Sequence, residues 1–277
     1  MRSRSVRLAM RNRTLMFGAV ISIAVVMVGV FAPLLTGFDP MEIKPAQRLS
    51  APSEAHIFGT DNMGRDVYSR VIYGTRLSLF VGVSVALLTM LLGAIIGLLS
   101  GVSARVDAIS MRILDGMMAF PAILLAISLM AVFGASVGNV ILALVIVYTP
   151  RTARVVRSVV LASREKAFVE AARALGGSNV RIMLMHLLPE SRGPLIVQST
   201  FIMAQAILTE SSLSFLGVGI PPHFPSWGNI MAGGRQLIYS APWALVFPGV
   251  AIAVAVVGAN MMGDGLRDVL DPRLQER

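Results

Sequence analysis

The chain has 277 residues, 55% of them hydrophobic and only 14% charged, with a net charge of +9. Soluble domains carry about 25% charged residues, so the composition points to a polytopic helical membrane protein. There are no cysteines, which removes disulfide and thiol chemistry. The three histidines, His56, His186 and His223, are too far apart to form a metal-ligand motif.

A helix needs about 20 apolar residues to cross the hydrocarbon core. After a basic segment over 1–14, residues 15–35 meet that requirement without a charge. They read as a retained first span, because the apolar run is longer than a signal peptide needs. A polar loop over 36–76 follows. Within it Thr60 is expected to cap an amphipathic interfacial helix leading into the second span. Asp61 with Arg65, and Asp66 with Arg70, have the spacing of i, i+4 ion pairs.

The second span is expected over 77–99. The uncharged run over 116–150 is too long for one crossing, and Gly134-Ala135-Ser136-Val137-Gly138-Asn139 supplies turn residues in its middle. It divides into a third span over 111–133 and a fourth over 137–156. The fifth span is placed at 195–216 and the sixth at 244–262. These leave a loop over 157–194, a second loop over 217–243 and a tail over 263–277, with one transmembrane domain covering about 70–270.

Six spans place both termini on one side, and the excess of Lys and Arg selects the cytoplasm. Arg2, Arg4, Arg7, Arg11 and Arg13, Arg105 and Arg112, the eight basic residues over 151–192, and Arg267, Arg273 and Arg277 then lie inside. The positive charge is thereby a topology signal with an attraction to anionic lipid, and nucleic acid is not an expected partner. Arg151, Arg154 and Arg157, at the inner end of span four, read as snorkelling side chains. The 17 methionines read as packing. Intramembrane carboxylates are costly and tend to be functional, which makes Asp115 and Glu210 candidates for lining a path. The competing readings are local pairing of Asp115 with Arg112, and pairing of Glu210 with a partner subunit or water.

The loop over 157–194 is long, charged and helical. Phe168, Ala172 and Leu175 recur at i, i+4 and i+7 and form an apolar stripe on a short helix. Gly176-Gly177 can end that helix, and Ser178 can cap a second one running to Pro189. A surface hairpin would account for this. A docking element for a cytoplasmic partner accounts for it better.

Glu170-Ala171-Ala172, Gly176 and Leu188-Pro189 resemble the EAA loop of permease subunits in ABC importers, with His186 where the general pattern has isoleucine. Phe58-Gly59-Thr60-Asp61-Asn62-Met63-Gly64-Arg65-Asp66, Leu213-Ser214-Phe215-Leu216-Gly217 with Pro225-Ser226-Trp227-Gly228, and Gly263-Asp264-Gly265-Leu266-Arg267-Asp268 with Leu270-Asp271-Pro272-Arg273 are similar to the dipeptide, oligopeptide and nickel branch, and to its C-type subunit. The resemblance implies an all-α type I ABC importer permease fold in the bacterial inner membrane. It has six transmembrane helices, and the EAA coupling helices lie between spans four and five. In such a permease Phe168, Ala171, Ala172 and Leu175 pack in a groove of the ATPase and Glu170 makes polar contacts there. Gly176-Gly177 acts as a hinge, and Pro189 marks the entry to span five. The implied partners are a sister permease, two ABC ATPase subunits and a periplasmic or lipid-anchored binding protein. ATP and magnesium would be held by the ATPases and no cofactor by this chain. Its two lysines, Lys44 and Lys166, follow Ile43 and Glu165, so it lacks the Gly-Lys step of a phosphate-binding loop. No nucleophile–base constellation stands out. Peptides lead as cargo over nickel chelates or other small solutes. A secondary transporter, which would show repeated halves or intramembrane ion ligands, and a membrane scaffold are the rival readings.

Overall fold

A computed structural model describes residues 12–270. Arg2, Arg4, Arg7 and Arg11, and Asp271, Pro272, Arg273 and Arg277, lie outside the described residues. The described residues form helices and no named strands. Helix α1 (Arg13–Val30) and the short α2 (Ala32–Leu35) come first, then α3 (Val67–Val102), α4 (Ala104–Met118), α5 (Ala122–Phe133) and α6 (Val137–Ser163). The second half has α7 (Ala167–Ala174), α8 (Asn179–Ile182), α9 (Leu188–Phe215), α10 (Trp227–Gly234) and α11 (Trp243–Leu270).

Helices α1, α3, α6 and α11 are each long and apolar enough to cross a membrane. The 36 residues of α3 rise ~54 Å, well beyond a hydrocarbon core of ~30 Å, so this helix projects past the apolar slab. The expected third span falls on two helices. α4 and α5 meet at 95°, because Pro121 disfavours helical backbone at Phe120, and together they form a bent pair. The expected fifth span lies in α9, which has 28 residues but carries Gln198, Ser199, Thr200, Gln205, Thr209, Glu210, Ser211 and Ser212 among its apolar ones. The tail expected after 262 continues as helix to Leu270. There Gly265 lets α11 approach α1 so closely that a Cβ would lie 2.5 Å from Leu15.

Close backbone approach also organises the centre. Gly93, Gly97 and Gly101 recur every four residues along α3 and face Thr152, Val156 and Val160 of α6. A Cβ at Gly97 would lie 2.6 Å from both the Ala153 carbonyl oxygen and the Val156 Cβ. Such small-xxx-small stripes bring helices together where lipid supplies no hydrophobic drive. A core of Val81, Val85, Val140, Leu144, Ile202 and Leu213 joins α3, α6 and α9.

The motif before α3 folds differently from expectation. Residues 59–66 form a looped knot closed by a Thr60–Asp66 bridge, and α3 starts only at Val67. Asp66, not Thr60, is its N-cap, accepting from the Ser69 amide at 2.7 Å. Asp61 pairs with Arg65 at 2.7 Å as expected, but Asp66 binds the buried His56 ring at 2.8 Å instead of Arg70. The buried Arg70 guanidinium donates to the Pro40 carbonyl at 3.2 Å and lies 3.8 Å from Asp61. Gly64 has φ +75°, and a Cβ there would collide with the Lys44 carbonyl. Trp243 of α11 donates to the Thr60 carbonyl at 3.0 Å. The knot therefore clamps the starts of α3 and α11 together.

Substituting Gly97→Val will force α3 away from α6 and lower stability by about 1–3 kcal/mol. Detergent-solubilised protein should show a reduced thermal midpoint by size-exclusion fluorescence, whereas Gly138→Ala, which meets open space, should leave it unchanged.

Candidate coupling site

Helix α7 is eight residues long and too short to persist alone, so its neighbours hold it. The residue that fixes it is Val169, which has no solvent exposure and packs with Val156, Val160, Ile182 and Leu187. Turning Val169 inward turns Phe168 and Ala171 outward, while Ala172 sits partly buried against the same cluster. The expected stripe is thus split between two surroundings. Phe168 is 42% exposed and Leu175 89% exposed. Val169 was missed because it lies one position off the i, i+4, i+7 series.

The helix ends in a Schellman turn. Gly176 has φ +80°, its amide donates to the Arg173 carbonyl at 3.0 Å, and the Gly177 amide donates to the Ala172 carbonyl at 3.0 Å. This is the 5→2 and 6→1 pair of that motif. Gly176 supplies the left-handed backbone. Gly177 supplies clearance, since a Cβ there would lie 2.7 Å from the Ala172 oxygen. Ser178 caps α8 by accepting from the Arg181 amide, as expected.

The second helix does not stop at Pro189. From α8 the chain passes through a π-helical turn (Met183–Leu187) directly into α9. Pro189 has no amide hydrogen to give the turn before it, and the widened π turn accommodates that missing bond. The base of α7 is tied to this helix by an ion pair between Lys166 and Glu190. Arg164 donates to the Gly101 carbonyl at 3.3 Å at the end of α3.

The outward residues make two surfaces. Phe168, Ala171, Leu175, Gly176 and His186 line an open groove of about 730 Å³. Glu170 lies on the other side, in a cleft of about 370 Å³ with Arg164 and Arg173. The structure brings together all the expected loop residues except Pro189, which lies beyond the π turn, and Glu170, which faces away from the apolar groove.

Asp115 and Glu210 are not brought together. Asp115 is 60% exposed and pairs with Arg154 of α6, not with Arg112. A second pair joins Arg157 to Asp107, with one bond of 2.6 Å. Arg154 and Arg157 therefore staple α4 to α6 and are not free snorkelling chains. Glu210 has no exposure. It accepts from Ser214 at 2.9 Å and Ser211 at 3.3 Å, and the hydroxyls of Ser226 and Ser78 also reach it. Ser78 in turn accepts from the Trp227 amide at 3.4 Å, and the Trp227 ring donates to the Val71 carbonyl at 3.1 Å. The two motifs around Ser214 and Trp227 thus build a closed cage for Glu210, and no face of it is open to a path.

Long apolar helices, a polar one among them, and a short amphipathic helix mounted on the bundle by Val169 define the class as a helical membrane protein. Comparison with known proteins gives the family. Residues 89–276 match the model of the binding-protein-dependent transport system inner membrane component, and residues 4–52 that of the N-terminal TM domain of oligopeptide transport permease C. The chain belongs to this family of inner membrane components. It is 47% identical to a putative peptide transport system permease protein of Brucella abortus, over 97% of this chain and 91% of that one. It is 44% identical to the dipeptide transport system permease protein DppC of Alkalihalophilus pseudofirmus, over 96% and 88%. It is 37% identical to the oligopeptide transport system permease protein OppC of Bacillus subtilis, over 96% and 87%.

Replacing Glu210 with Leu strands several buried hydroxyl groups, each unmade bond costing about 1–3 kcal/mol. The variant should lose most of its folded yield, whereas Glu210→Gln, which keeps an acceptor in the cage, should unfold within a few degrees of the parent in a thermal melt.

Proposed function

We propose that this chain is one permease subunit of an ATP-driven peptide importer, paired with a sister permease. It would have six crossings, with the bent α4–α5 pair and the polar α9 counted among them and both termini in the cytoplasm. Two ABC ATPase subunits bind ATP and magnesium below it, and a binding protein delivers di- or oligopeptides from the other side. The names of the relatives support the cargo class, and the distribution of Lys and Arg supports the orientation.

The observation that carries the reading is the mounting of α7. Phe168 and Leu175 are apolar, exposed and close to Ala171 and Gly176, where small residues permit close approach. They sit on a helix that Val169 and the Schellman turn hold in place. An exposed apolar patch on a rigid mount suits a partner groove. In this reading Phe168, Ala171, Ala172 and Leu175 pack into the ATPase, and Glu170, from the neighbouring cleft, meets polar groups at the rim. When the ATPases close, α7 is displaced as a unit. Gly176 is then a rigid helix terminus rather than a loose hinge, and the movement passes through α8 and the π turn into α9.

Leu175→Arg places a charge in that interface without touching the core. Loss of an interface anchor costs about 2 kcal/mol or more, so ATPase subunits should co-purify at least ~30-fold less tightly and ATP-driven uptake should fall accordingly. The thermal midpoint of the permease should not move. Unchanged co-purification and uptake would refute the assignment. Val169→Ala should do the opposite first, lowering stability by about 0.5–1.5 kcal/mol per buried methyl lost before any loss of ATPase binding.

A further inference from the structure

Helix α9 carries its polar residues in a pattern that packing does not explain. Its buried arc, with Ile202, Ala206, Ile207 and Leu213, meets α3 and α6. Gln198, Gln205, Thr209 and Ser212 are spaced i, i+7, i+11 and i+14, which places them on one stripe. Gln205 is exposed, and Thr209 and Ser212 are half-buried. Thr209 bonds the hydroxyl of the buried Tyr148 on α6 at 2.6 Å, which ties the stripe to the neighbouring helix from behind. Gln198, two turns from Gln205, is 8% exposed, yet its side-chain amide nitrogen has no hydrogen-bond partner. A polar group facing lipid is costly, and such groups turn toward a protein interior or a water-filled cavity.

We propose that this stripe, backed by the buried Tyr148, is the polar wall of the translocation path and takes the backbone amides of an extended peptide. The inference rests on the permease reading. Gln side chains offer a donor and an acceptor together, which matches the repeating donor and acceptor of a peptide main chain. From Gln205 to Ser212 the helix rises ~10 Å, the length of about three extended residues. The stripe has no carboxylate, ammonium or guanidinium. It therefore reads main chain rather than side-chain charge, and a path built this way accepts many sequences. Glu210 lies outside the stripe, locked in its serine cage.

The chain has no cysteine, so single thiols can report access to water. The complete transporter, with both permeases and both ATPases, is reconstituted in proteoliposomes bearing Gln205→Cys, Ser212→Cys or, as a control on the exposed apolar face of α3, Leu91→Cys. A charged methanethiosulfonate is applied in the nucleotide-free and vanadate-trapped states. The thiols at 205 and 212 should react roughly tenfold faster or more than that at 91, because a thiol in apolar surroundings stays neutral and unreactive, and their rates should differ between the two states. Rates no faster than the control in both states would overturn the proposal. So would disulfide cross-linking of both positions to cysteines in the sister permease, which would make the stripe a subunit contact. Ser212→Cys is close to isosteric, so it answers even if Gln205→Cys does not fold. Gln205→Leu should lower trialanine uptake roughly two- to tenfold, the effect of one lost hydrogen bond. If the parent complex imports no trialanine while both thiols still react rapidly, the peptide reading falls and the aqueous wall stands.

Discussion

Inside an apolar slab a polar side chain has no water to turn to, and the protein must satisfy it or direct it to a cavity. This constraint sorts nearly every polar residue of the bundle. Glu210 is answered completely, by serines from α9, α3 and the segment before α10. His56, Asp66 and Gln47 answer one another within the knot. Asp107 and Asp115 are answered across helices by Arg157 and Arg154. Among the described residues, single hydroxyls at Ser22, Thr89 and Thr152 lack a partner, but only on α9 does an unpartnered amide, that of Gln198, lie in line with an exposed Gln205. A carboxylate is thus not the best mark of a path here, because the most costly groups are also the ones the fold takes most care to enclose.

The second constraint is shape. Gly93, Gly97 and Gly101 let α3 and α6 touch at backbone distance, and that contact supports both ends of the bundle. Toward one end α3 emerges from the knot that Trp243 closes. Toward the other, Val156 and Val160 of α6 project past the glycines and form the socket for Val169. The helix pair that gives the bundle its width therefore also fixes the angle at which α7 is presented.

Much of this was legible in the sequence, and the failures have specific causes. Apolar run length located the stretches that become α1, α3, α6 and α11, because desolvation of the backbone leaves few alternatives to helix. It did not reveal the bend between α4 and α5, since an uncharged run looks the same whether straight or folded back at Pro121. Turn chemistry found the Gly176 terminus and the Ser178 cap, both of which depend only on near neighbours. Ion pairs read from local spacing failed at Asp66–Arg70 (i, i+4) and at Arg112–Asp115 (i, i+3), because His56 and Arg154 arrive from other parts of the chain. Periodicity found the outward stripe of α7 but not its anchor, since Val169 is defined by what lies beneath it.

These parts meet in α9. The segment that carries α7 does not hang from a flexible loop; α8 and the π turn run into α9 without a break. The same helix then carries the stripe of Gln198, Gln205, Thr209 and Ser212 and, on another face between Thr209 and Ser212, the caged Glu210. A π turn adds about one residue to a helical turn and is one of the few places where a continuous helix can change its twist without losing its ladder. In the proposed importer, displacing α7 at the loop end would rotate or tilt α9 about that turn, while the Glu210 cage holds its far end to α3 and α10. A helix held at one end and driven at the other moves by an amount that falls from the driven end to the held one, so Gln198 and Gln205 would be displaced more than Thr209 and Ser212, which flank Glu210.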